Sequence, residues 1–120
     1  MPDKFGDKVR LTHLADAISA LEKYTDGISQ EQFLADFMRS DACIRQLEII
    51  GEASNHLSEA LIAASPSVGW AQIVGLRNII AHEYFGVDLH LIWRIIQFYV
   101  PVLKEHVHTL LDRQDNDAGH

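Results

Sequence analysis

The sequence is poor in several features that usually direct folding or targeting. Its one cysteine, Cys43, excludes a disulfide within the chain. Its three prolines, Pro2, Pro66 and Pro101, leave residues 30–65 free of the strongest helix breaker. No apolar run reaches the roughly 18 residues of a membrane span. The opening Met-Pro-Asp-Lys-Phe-Gly-Asp-Lys is mixed in charge and has no apolar stretch behind it. The location expected from this is cytoplasmic, without membrane attachment. Strand-type alternation, internal repeats and low-complexity tracts are also missing. Positive charge is scarce: 10 Lys+Arg stand against 17 Asp+Glu, a formal net charge of −7 with the seven histidines counted neutral. That balance excludes coating nucleic acid through a broad basic surface, but it leaves room for a small basic site.

What is present is helical. The 120 residues are 48% apolar and 22% charged, an ordinary globular balance for one domain. That domain is expected over residues 1–112, with 113–120 a flexible polar tail. Leu11, Leu14, Ile18 and Leu21 recur at helical spacing, and Tyr24-Thr25-Asp26-Gly27 ends that helix. Ser29 with Gln32 has the spacing of a capping box. A long segment follows, with Leu47, Ile50, Ser54, Leu57 and Leu61 on one face and a break or bend expected at Arg39-Ser40-Asp41. Gly51 lies inside it, where a glycine allows close approach of another element. A connector at 64–69 leads to a shorter helix from Trp70 to His82, stopped by Phe85-Gly86. Asp88 is placed to cap the last helix. That helix should bury Ile92, Ile96, Tyr99, Leu103, Val107 and Leu110 and kink at Pro101. The architecture expected is all-α, an antiparallel bundle of four to five helices.

The segment Arg77-Asn78-Ile79-Ile80-Ala81-His82-Glu83-Tyr84 concentrates polar chemistry. Asn78 and His82, four apart, share a helix face, and Asn78 is placed to hold the imidazole in one tautomer. Arg77 and His82 lie about 140° apart around the axis, so one helix does not easily aim both at one point. The set suits phosphodiester cleavage. Histidine can take a proton from a ribose 2′-hydroxyl, and arginine offers a planar, permanently charged fork to the phosphate. The plain alternative is structural, with Arg77 paired to a carboxylate and His82 capping a helix end.

Arg77…His82-Glu83-Tyr84 reads R-x4-H-x-Y, and in this the chain resembles HEPN domains, more narrowly the HepT-like toxins. Arg45-Gln46-Leu47-Glu48-Ile49-Ile50-Gly51-Glu52-Ala53 is similar to the family's long-helix segment. The stretch from Trp70 to Asp88 is similar to its motif region, and Trp93 and Pro101 fall at family positions. The likeness spans roughly residues 8–111. It implies an all-α homodimer and a metal-independent ribonuclease toxin. It places the catalytic pair on Arg77 and His82, and the polar residue after the arginine on Asn78. Two motifs would meet across the dimer cleft, which answers the angular difficulty. The implied partner is an MNT-type nucleotidyltransferase antitoxin, with which the dimer could form a hetero-oligomer. It would silence the toxin by adenylylating Tyr84, adding bulk and negative charge beside a phosphate site. The expected substrate is RNA and the expected product a 2′,3′-cyclic phosphate, with no cofactor. A reading of another class is a non-catalytic helical module that serves as partner and acceptor for the nucleotidyltransferase.

A polar stripe runs along the long helix through Asp41, Arg45, Glu48, Glu52, Asn55 and Glu59. It is either a solvated face with an Asp41–Arg45 pair or a cleft wall. In the second case Arg45, Glu48, Glu52 and Asn55 line the cleft, and Glu52 is the first candidate to orient Arg77 or His82. Glu48, Glu52 and His56 also recur every four residues, but a di-iron bundle needs two Glu-x-x-His motifs and only Glu105…His108 supplies one. No metal is expected. Cys43 reads as a buried thiol, and Trp70 and Trp93 as core anchors, either of which could instead stack a base.

Overall fold

In the computed structural model, four principal helices carry the hydrophobic stripes and three six-residue helices join them. The structure describes residues 4–82, 86 and 88–118, and for residues 4, 5, 79, 81, 82, 117 and 118 only the backbone. In chain order the helices are α1 (Lys4–Thr25), α2 (Gln30–Ala35), α3 (Phe37–Asn55), α4 (Glu59–Ala64), α5 (Trp70–His82), α6 (Leu89–Arg94) and α7 (Val100–Ala118). A π-helical turn, Ile95–Tyr99, joins α6 to α7. No strand occurs among the described residues. The fold is all-α, as expected.

Local chemistry sets most boundaries. Gly27 takes a positive φ of 73° to turn the chain after α1, a conformation glycine adopts without a Cβ clash. The Ser29–Gln32 capping box forms, with Ser29 Oγ accepting from Gln32 N–H and Gln32 Oε1 accepting from Ser29 N–H. Asp88 caps α6 by accepting from the His90 and Leu91 N–H groups. Trp70–His82 forms the expected helix; Phe85, half of its expected stop signal, lies outside the described residues.

The long segment over 30–65 is not continuous. The first break falls at Asp36 and not at Arg39-Ser40-Asp41. Asp36 ends α2 through its own N–H to Phe33 O, and its carboxylate accepts from Arg39 N–H to start α3. The second falls at His56–Ser58, where Ser58 Oγ accepts from Leu61 N–H and begins α4. Leu57 and Leu61 are buried, but from beyond the end of α3. In the last helix, Pro101 has no N–H, and its ring would press on the carbonyl four residues back. The π turn directly precedes it, with Val100 N–H bonded to Ile95 O. The extra residue changes the register, so Val100 is buried and Tyr99, expected in the core, is 37% exposed. Helix α7 also continues through 113–118, the stretch expected as a tail, and Lys8 Nζ lies 2.8 Å from Asp115 Oδ1.

Helix α1 packs on α3 and α7, and α3 packs on α5. Leu11, Leu14, Ile18 and Leu21 of α1 meet Leu47 and Ile50 of α3, Ile73 of α5 and Val107 of α7 in one buried cluster. Cys43 is buried in it, and burial pushes its thiol up to about 11. Trp70 donates Nε1–H to Ser65 Oγ at 2.9 Å, and Trp93 packs on Phe33 at a centroid distance of 5.2 Å. Both are anchors of the fold. One polar joint is buried: Asp7 of α1 accepts from Ser58 N–H at 2.8 Å and from Ser58 Oγ–H at 2.6 Å, tying α1 to the start of α4.

Candidate active-site cleft

Where α5 meets α3, Gly51 and Arg77 come together. An added Cβ at Gly51 would stand 2.7 Å from Arg77 Cγ and 3.4 Å from Ile73 O. The missing side chain therefore makes room for the stem of the arginine. This turns the glycine from a plain packing device into part of the site's framework. One residue on, Glu52 fixes the other end of the same side chain, with Oε2 3.1 Å from Arg77 Nη1. Its second oxygen, Oε1, lies 2.9 Å from His56 Nε2. The His56 hydrogen bond and then the charges of Arg77, His56 and Arg10 hold the Glu52 carboxyl below its usual range, against a smaller opposing effect of burial.

These groups sit in a cleft of about 510 Å³. Helix α3 contributes Arg45, Glu48, Glu52 and the apolar Ile49 and Ala53, and α5 contributes Arg77 and Asn78. Five of the residues singled out from sequence, Arg45, Glu48, Glu52, Arg77 and Asn78, are thus brought together. Asn55 is not; it is exposed at the last position of α3 and does not line the cleft. His82 closes α5, and its side chain lies outside the described residues, as does Tyr84. No ion pair joins Asp41 to Arg45; the arginine lines the cleft instead. The helix thus presents a cleft wall and not merely a solvated face. Glu48, Glu52 and His56 form no metal-binding group, nor does any other set of His, Cys, Asp and Glu among the described residues.

Two lining residues, Arg10 and His13, come from α1 and escaped the sequence reading. A signal for them existed. Each directly precedes a residue of the buried stripe, Leu11 or Leu14, and so lies at the rim of the face that α1 turns toward α3. The completed cleft sets three arginines against two glutamates on a chain of net charge −7. A guanidinium paired with a carboxylate and set near an asparagine amide, with further cations on the same cleft, is equipped to hold an anion.

Fold and cleft together define an all-α protein with an arginine-lined groove between its helices. A profile of the ribonuclease HepT-like family matches residues 14–110, and the chain belongs to that family. It is 38% identical over 83% of its length to a protein of Methanocaldococcus jannaschii named "putative RNase", covering 92% of that relative. It is 37% identical over 84% of its length to the "probable ribonuclease HepT" of Thermococcus cleftensis, again covering 92%. A further relative named "putative RNase", from Caldanaerobacter subterraneus subsp. tengcongensis, is 36% identical over 87% of the chain and 93% of the relative. No solved structure matches the chain. No helix of the described residues is long and apolar enough to cross a membrane.

Proposed function

We propose that this chain is a metal-independent endoribonuclease, the toxin of a two-component toxin–antitoxin system, and that it acts as a homodimer. The observation that carries the reading is Arg77, the first residue of the R-x4-H-x-Y motif, paired with Glu52 in a cleft with Asn78. His82 takes the proton from a ribose 2′-hydroxyl as general base. The 2′-oxygen bonds to phosphorus, and the bond from phosphorus to the 5′-oxygen breaks. The equivalent histidine of a second protomer protonates the leaving oxygen. Arg77 neutralises charge on the phosphate in the transition state, Asn78 assists in orienting the imidazole, and Glu52 is a positioning residue. The products are a 2′,3′-cyclic phosphate and a 5′-hydroxyl. Tyr84 is the acceptor for adenylylation by an MNT-type nucleotidyltransferase antitoxin, with which the dimer assembles.

The test is cleavage of single-stranded RNA by the purified chain in excess chelator, with analysis of the ends and of mass in solution. Expected are a cyclic phosphate end, a particle of twice the chain's mass, and complete loss of cleavage in folded His82→Ala and Arg77→Ala. Cleavage that persists in His82→Ala overturns the mechanism. Adenylylation of Tyr84 on co-expression with a nucleotidyltransferase, without cleavage by the unmodified protein, would favour a non-catalytic acceptor module.

A further inference from the structure

The arginines of the cleft differ in how they are satisfied. Arg77 is paired with Glu52. Outside the cleft, Arg39 pairs with Asp36, Lys8 with Asp115 and Lys104 with Glu22. Arg10 is half-buried and Arg45 exposed at the cleft wall, and neither makes an ion pair or a side-chain hydrogen bond among the described residues. Suitable acids are near in sequence: Asp41 lies four residues before Arg45 on the same helix, and Glu48 three after it, both within reach of an intrahelical pair. Arg45 pairs with neither. Two cations on one cleft, neither neutralised by a paired carboxylate, favour an incoming anion.

Their position states which anion. Arg10 is close enough for its charge to act on Glu52, the residue that holds Arg77. It stands on α1, across from Arg45 on α3, with His13 three residues further along α1. The cleft's volume of about 510 Å³ falls within the ~300–1,000 Å³ of small-molecule sites, more than one phosphate requires. We infer that Arg10 and Arg45, with His13 beside them, form a second phosphate subsite that takes the RNA backbone phosphate next to the one held by Arg77. The subsite makes the α1 wall a device for registering the strand, and it favours substrates with a phosphate flanking the scissile one.

This rests on the ribonuclease reading, and the experiment separates the two. His82→Ala protein, which leaves RNA intact, is titrated into a fluorescein-labelled single-stranded oligoribonucleotide, and anisotropy is read across a salt series. Arg10→Gln with Arg45→Gln in that background is expected to weaken binding about tenfold. It should also flatten the dependence of log K on log salt by about 0.7, the contribution of one single-strand phosphate. Lys23→Gln, which removes an exposed charge elsewhere on α1, should change neither. Unchanged affinity and slope in the double variant, with His82→Ala still binding, overturns the subsite and leaves the ribonuclease reading standing. If the wild-type chain neither binds nor cleaves RNA, that reading falls, and inorganic pyrophosphate becomes the probe. Calorimetric binding abolished by the double substitution supports the anion site, and no binding by the wild-type chain overturns it. Should the Gln pair misfold by circular dichroism, Arg10→Lys with Arg45→Lys keeps the charge and loses the planar fork. The expected result is then a retained salt slope with weakened binding, and undiminished affinity counts against the subsite.

Discussion

Gly51 and Arg77 occupy one space: the stem of the arginine lies where the glycine would carry a side chain, 2.7 Å from Cγ to the position of a Cβ. The backbone of Gly51 does not need glycine for its own sake, because its φ is not positive. Alanine there should gain up to about 1 kcal/mol of helix stability. Against that gain, the new methyl must displace Arg77 Cγ, an overpacking cost of about 1–3 kcal/mol. Gly51→Ala is therefore expected to leave the melting temperature unchanged or lowered while RNA cleavage falls about 100-fold, the scale of a misplacement near 1 Å. A stable, fully active Gly51→Ala protein would show that the arginine stem needs no fixed seat.

Glu52 holds the other end of that arginine. Its carboxyl titrates below the ordinary value of 4.5. The charge that stabilises the pair is thus fully present above the unfolded value and is lost only as pH falls through the lowered, folded one. Glu52→Gln should reduce kcat about tenfold or more with a smaller change in KM, because orientation and not recruitment is lost. Between about pH 5 and 8 the profile should keep its shape, since Glu52 is ionised throughout and the histidine range lies there. Partial rescue by Glu52→Asp is expected. A change in KM alone would place Glu52 in substrate binding.

The Asp7–Ser58 joint is buried, with Asp7 only 6% and Ser58 8% exposed. Asp7→Ala leaves the Ser58 N–H without its acceptor, and an unmet buried donor costs about 1–3 kcal/mol. Urea denaturation should show a loss of about 2–3 kcal/mol with the slope unchanged. A loss below a few tenths would mean that water replaces the carboxylate.

Ser54 has the opposite problem: its buried Oγ has no partner among the described residues. Ser54→Ala is expected to stabilise the fold by about 1 kcal/mol, read as a raised denaturation midpoint. Destabilisation would reveal a hydrogen bond, or water, that the hydroxyl serves.

Cys43 offers a clean reporter. With its thiol raised to about 11 by burial, thiolate at neutral pH is scarce and enclosed. Labelling by a disulfide reagent should be slow in the native protein and follow global unfolding. Rapid stoichiometric labelling would require a local opening of α3.

Much of the fold was legible because its signals are local. The stripe on α1, the Ser29–Gln32 box, the Trp70–His82 helix and the Asp88 cap each depend on residues within one or two turns. The break at Asp36 was missed because Asp36 carries no glycine or proline; a single carboxylate performs both the ending and the starting, and the more polar Arg39-Ser40-Asp41 drew the expectation. Tyr99 was misplaced because a π turn offsets the periodicity without leaving a sequence mark other than Pro101. In the cleft, the residues of α3 and α5 could be read from their motif and stripe. Arg10 and His13 could not be assigned there without knowing that α1 crosses beside α3, a tertiary fact.

The π turn at Ile95–Tyr99 has one more consequence. One extra residue shifts the rotational phase of all that follows by about 100°. Helix α6 packs against α2, and α7 against α1. The turn thus works like a keyed coupling in a shaft, letting two stretches of one rod engage different neighbours. Shortened by a single residue, the two stretches would share one rotational phase, and only one of them would still find its seat.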